Sequence, residues 1–179
     1  MNFWTKLTEF LLNVPPYGII YPNEGGVFLR GGHYKNTLTD GFFWKWPLYD
    51  SIQKCIITTQ VINLPNQSVT TKDGHIIAVS GAIEYSISDA RKALLCIYDY
   101  DTSLQNLGMA FICHYLNRQS LKTCGVNDLE KDVLRGLRGK VEDWGLCISK
   151  FWVTDFAEHK VYRIMAHDIP VALIEPEEN

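Results

Sequence analysis

QVINLPNQSVTTKDGHIIAVSGAIEYSISDARKAL, residues 60–94, is the stretch whose reading decides the fold. Val, Ile and Thr dominate its runs, the composition of a pleated and half-buried surface. Lys72-Asp73-Gly74 separates two of these runs, and Asp-Gly suits the left-handed backbone of a tight hairpin turn. The strand predicted after the turn, from Ile76 to Ile87, is long by the standard of globular sheets. At Ser88 the period changes. Ser88 and Asp89 offer side-chain oxygens to cap a helix carrying Ala93, Leu94 and Ile97. Long strands that run into a helix, with more strands before and more helices after, predict an α+β fold.

Towards the N-terminus the same texture continues. The runs GIIY, GVFLRGG, GFFWKW and CIITTQVINLP are punctuated by Gly25-Gly26, Gly31-Gly32, Asp40-Gly41, Pro47 and Pro65-Asn66, predicting an antiparallel sheet. Towards the C-terminus, Thr102 or Ser103 is expected to cap a helix bearing Leu104, Leu107, Phe111 and Tyr115. Asn127 with Glu130 three residues on predicts a third cap, ahead of Leu129, Val133, Leu137 and Val141 at spacing four, with Gly145 as the stop. Residues 146–156 return to a strand pattern. Residues 158–167 fit a strand and a short helix equally, and residues 169–174 read as a candidate last strand before the acidic EPEEN.

The first fourteen residues, MNFWTKLTEFLLNV, are of another kind. At about 100° per residue, Phe3, Trp4, Leu7, Phe10, Leu11 and Val14 fall within roughly 120° of a helical wheel, with Asn2, Thr5, Lys6, Glu9 and Asn13 opposite. Pro15 and Pro16 stop the helix. Such a face suits a membrane interface, and on residue chemistry alone it suits docking on the protein's own sheet or a neighbouring subunit equally.

Composition excludes several classes. With 17 Lys and Arg against 20 Asp and Glu, and a net charge of -3, there is no basic footprint for nucleic acid. Five cysteines at irregular spacing (Cys55, Cys96, Cys113, Cys124, Cys147) resemble neither a disulfide framework nor a zinc knuckle, and a reducing compartment fits them. No apolar run approaches the roughly 20 residues of a spanning helix. His33, His75, His114, His159 and His167 form no HExxH pair. The glycines of GVFLRGG follow no phosphate-loop spacing, and Ser80-Gly81 belongs to no GxSxG elbow. No metal, cofactor or catalytic residue is expected.

Four phrases, in order, resemble an SPFH (band 7) domain of the stomatin, prohibitin and flotillin kind. They are GVFLRGG (residues 26–32 with Gly25 before it), DGFFWKWPLYDSI (40–52), the stretch 60–94 quoted above, and WGLCISKFWVTDF (144–156). The TKDG turn at 71–74, followed by a long strand ending in Tyr-x-Ile-x-Asp at 85–89, is the most specific part. The resemblance implies a non-catalytic, membrane-associated scaffold that self-associates and organises membrane patches or protein partners such as membrane proteases. It implies peripheral attachment on the cytoplasmic, reducing side through residues 1–16, with the SPFH domain over 17–156 and an extension over 157–179. Family members usually continue into a long Ala/Glu-rich coiled coil, a pattern missing after Phe156, so the sequence reads as a short form. The alternative is a soluble homo-oligomeric adaptor of the same fold, its N-terminal helix packed on protein, modulating full-length relatives. A hydrolase built from Ser, His and Asp has no motif behind it.

Overall fold

The computed structural model describes residue 8 and residues 15–159. Apart from residue 8, the helix expected over 1–14 lies outside the described residues, as does the strand expected over 169–174. Eight strands are present among those described, and every pairing is antiparallel. They form three sheets instead of the one expected. β1 (Tyr17–Ile20) pairs with β4 (Gly41–Trp44); β2 (Glu24–Arg30) lies between β3 (His33–Leu38) and β5 (Asp50–Ile56); β7 (Ile76–Ile87) lies between β6 (Gln60–Thr70) and β8 (Leu146–His159). The break falls inside CIITTQVINLP, which reads as one run in the sequence. The Ile57 amide donates to the Asn23 carbonyl between β1 and β2 (3.0 Å), taking the chain out of the small sheet before β6 begins.

The predicted hairpin forms where Asp73-Gly74 placed it, with Gly74 at φ 82°. From β7, Ile77, Val79, Ile83, Tyr85 and Ile87 are buried on one side of the sheet, the alternation a one-sided sheet requires. Against them pack α2 (Tyr100–Leu116), through Leu104, Ile112 and Leu116, and α3 (Val126–Val141), through Leu129, Val133, Leu137 and Val141. Each of these side chains is almost fully buried, worth about 1.5–3 kcal/mol apiece before entropic costs. The short α1 (Ala90–Leu95) bridges the layers, and the Arg91 guanidinium lies 4.2 Å above the Tyr34 ring of β3.

The caps differ from expectation at two of three helices. Asp89 caps α1 as predicted, accepting from the Arg91 and Lys92 amides. α2 starts earlier than Thr102: Asp99 is its cap and accepts from both the Thr102 amide (3.0 Å) and its hydroxyl (2.7 Å). A carboxylate is the stronger acceptor, and these bonds hold the Asp99 carboxyl below its usual range. α3 starts after Gly125 with no side-chain cap. Glu130, expected to complete a capping box, accepts from the Val153 amide of β8 instead (2.9 Å). Gly145 does end the helical segment, with φ 74°. A side chain there would be strained by that φ and would press on the Asp89 carbonyl, a position for which glycine is the natural occupant.

Candidate functional site

The β1–β4 ribbon has two unlike faces. Directly opposed residues of an antiparallel pair share a face, so Tyr17 with Trp44 and Ile19 with Phe42 form one side, while Gly18 with Phe43 and Ile20 with Gly41 form the other. The second side is the inner one. Ile20 is buried, a Cβ on Gly18 would sit 2.5 Å from Ile52 of β5, and a Cβ on Gly26 would sit 2.8 Å from Ile20. Glycines at these points let the ribbon lie flat on the neighbouring sheet.

The outer side consists of Tyr17, Ile19, Phe42 and Trp44, all exposed, with Tyr17 and Phe42 stacked at 5.4 Å. It carries no charged or polar residue apart from the tyrosine hydroxyl. The apolar character continues into the turn after β4, where Trp46 is 65% exposed, Leu48 78% and Tyr49 71%. Scattered exposed apolar residues are ordinary on a protein surface, whereas a whole strand-pair face built of them is a candidate interaction site.

Buried chemistry fixes the turn. Asp50, its side chain shut off from solvent, accepts from Arg30 Nε (2.8 Å) and Nη2 (3.1 Å) and from the Trp46 amide (3.0 Å). The Arg30 bond first and the Trp46 amide second hold its carboxyl below the usual carboxylate range. The Asp50 and Tyr49 amides both donate to the Trp46 carbonyl, and Gly31 donates to Tyr49. One buried carboxylate thus ties β2, β5 and the turn, so that Trp46, Leu48 and Tyr49 are presented from a braced backbone. Where the ribbon starts, the Lys45 amide donates to the Pro16 carbonyl (2.9 Å), bringing the entry of the chain beside the end of β4. Lys54 bonds the Ile19 carbonyl and lies 5.8 Å from the Tyr21 ring.

Phe3, Trp4, Leu7, Phe10, Leu11 and Val14, the face predicted to contact lipid, lie outside the described residues. The ribbon face was not singled out in the sequence, although GFFWKW held its signal: a run of four aromatics in six residues, too many for one buried side of a four-residue strand. Among the described residues no group of His, Cys, Asp and Glu is arranged to hold a metal ion, and no helix is long and apolar enough to cross a membrane. His75, just before β7, bonds Glu158 of β8 (2.9 Å), a link between the hairpin turn and the neighbouring strand.

Comparison with known proteins gives the family. The chain is 27% identical over 158 residues to an uncharacterized protein of Methanocaldococcus jannaschii, covering 86% of this chain and 79% of that one. It is 26% identical over 133 residues to stomatin of Mus musculus, covering 73% of this chain and 45% of stomatin. It is 23% identical over 142 residues to a putative band 7 family protein of Acanthamoeba polyphaga mimivirus, covering 78% and 47% respectively. The chain therefore spans less than half the length of the last two. The model of the SPFH domain / Band 7 family matches residues 19–167; the chain belongs to that family.

Proposed function

We propose that this protein is a non-catalytic scaffold that attaches peripherally to a membrane on its cytoplasmic side and self-associates there to organise membrane-protein partners, a membrane protease among them. The observation that carries the reading is the outer face of the β1–β4 ribbon. Tryptophan and tyrosine with apolar bodies and polar tips are the side chains that settle at a lipid–water boundary. The cations of this half of the molecule, Arg30, Lys35, Lys45 and Lys54, outnumber the acids Glu24, Asp40 and Asp50, which favours an anionic surface over the chain as a whole. Residues 1–14, whose sequence carries the amphipathic face of Phe3, Trp4, Leu7, Phe10, Leu11 and Val14, are the second lipid contact in this reading. Two weak contacts on one body act together by effective concentration, and many copies multiply the effect.

Co-sedimentation with vesicles containing anionic lipid tests this. The wild-type chain is expected to sediment, and Trp44→Asp with Trp46→Asp, or removal of residues 1–14, to release it. Equal sedimentation of all three overturns the attachment. Protection of Trp44 and Trp46 from quenchers in lipid-free solution would instead put a protein surface on the ribbon, the adaptor reading.

A further inference from the structure

β8 forms one edge of the sheet β6-β7-β8, and a strand edge offers unpaired amides and carbonyls to an extended chain that comes beside it. Two side chains of α3 close parts of this edge. Arg138 donates through Nε to the Ile148 carbonyl and through Nη2 to the Ser149 carbonyl, both at 2.9 Å, and Glu130 accepts from the Val153 amide. The amide and carbonyl of a strand residue point to the same side, and that side alternates along the strand. No register shift separates Phe151 from Val153, so Phe151 also turns its backbone groups away from β7. Among the described residues no hydrogen bond reaches them, and they form a gap of one residue between the two caps.

The gap opens into a groove of about 440 Å³ between α3 and β8, a size ordinary for a ligand pocket. Its lining combines charge with apolar surface on both sides of the edge. On the α3 side stand Lys131 and Leu134, and on the side away from the helices Lys150 and Trp152. Lys150 Nζ lies 5.8 Å from the centre of the Trp152 ring. Both lysines are exposed, and neither enters an ion pair among the described residues. Glu130, the acid in the lining, is engaged by the Val153 amide. Glu84 stands opposite Lys150 in the register without pairing to it.

We propose that this groove binds an acidic, extended peptide segment of a partner protein. One peptide residue pairs its amide and carbonyl with those of Phe151. Side chains of an extended peptide alternate between the two sides of the edge, so acids at adjacent positions reach Lys131 and Lys150, and apolar neighbours rest on Leu134 and Trp152. A small carboxylate would meet the lysines and leave the Phe151 groups unmatched, whereas strand addition satisfies both. The groove lies on a different sheet from the aromatic ribbon, so the proposal is independent of membrane attachment.

Titration of the isotope-labelled full chain, without lipid, with acetyl-Val-Glu-Glu-Val-amide and acetyl-Val-Lys-Lys-Val-amide tests it by nuclear magnetic resonance. The acidic peptide is expected to shift the Phe151 amide and the Trp152 indole saturably, and the basic peptide to shift neither. Lys131→Glu with Lys150→Glu, both exposed and so without cost to folding, should weaken the acidic peptide about 10-fold or more and let the basic one bind. Lys131→Arg with Lys150→Arg should keep the wild-type preference. No shift with the acidic peptide, a shift that charge reversal leaves unchanged, or an equal response to glutarate overturns the proposal. So does a Phe151 amide already protected from exchange in the free chain, which would mean that the chain itself or a second copy fills the groove.

Discussion

The outer face of the β1–β4 ribbon and the outer face of the β6-β7-β8 sheet obey the same alternation and differ in chemistry. On the larger sheet the side away from the helices is mixed: Ser80, Glu84 and Ser86 of β7 stand opposite Asp155, Lys150 and Cys147 of β8, with Ala78 and Ala82 opposite Ala157 and Trp152 beside them. On the ribbon the corresponding side carries Tyr17, Ile19, Phe42 and Trp44. Outward positions are mostly polar on one sheet and wholly apolar or aromatic on the other. The period of two says which residues share a face, while only packing says which face is covered.

The comparison can be broken by exchanging roles. The largest effect is expected from Ile83→Ala on the inner face of β7, which empties space beneath Gly108 of α2. Destabilisation of about 2–5 kcal/mol, read by denaturant unfolding, is the ordinary cost of such a cavity, with vesicle binding of the folded fraction unchanged. Next comes Trp44→Asp with Trp46→Asp. Loss of two interfacial aromatics should weaken vesicle partitioning about 100-fold, the equivalent of about 2.7 kcal/mol, while unfolding stays within about 0.5 kcal/mol of wild type. A large loss of stability there would mean the face is core after all. Asp89→Ala removes the cap of α1 and should cost about 1 kcal/mol, with no effect on lipid.

The smallest effect concerns pH. Because the folded Asp50 carboxyl titrates below its unfolded counterpart, its contribution is full above the ordinary aspartate value and is lost as pH falls through the lowered folded value. The melting temperature of the wild type should therefore decline more steeply than that of Asp50→Asn on acidification below about pH 4. Parallel declines would show that the Arg30 bond contributes nothing to the brace under Trp46.

The α+β order, the hairpin at Asp73-Gly74 and the long β7 were legible in the sequence because local chemistry fixes each of them. The inner faces of α2 and α3 were legible through spacing four. The division into three sheets was not, since it turns on one amide, that of Ile57, finding a carbonyl thirty-four positions earlier at Asn23. The missing capping box has the same origin: Glu130 meets its rule at short range, yet the Val153 amide of β8 takes the carboxylate. The ribbon face escaped because an apolar run without alternation reads as buried on both sides, whereas glycines at 18 and 26 let only one side be covered.

The bond from Lys45 to Pro16 has a mechanical meaning. Tension on whatever holds the chain upstream of residue 15 reaches β1 before any other element, and β1 is joined to its sheet by four registered pairs with β4. Since that ribbon is separate from the helix-packed sheet, a load entering there meets the short ribbon before it meets the helix-packed core.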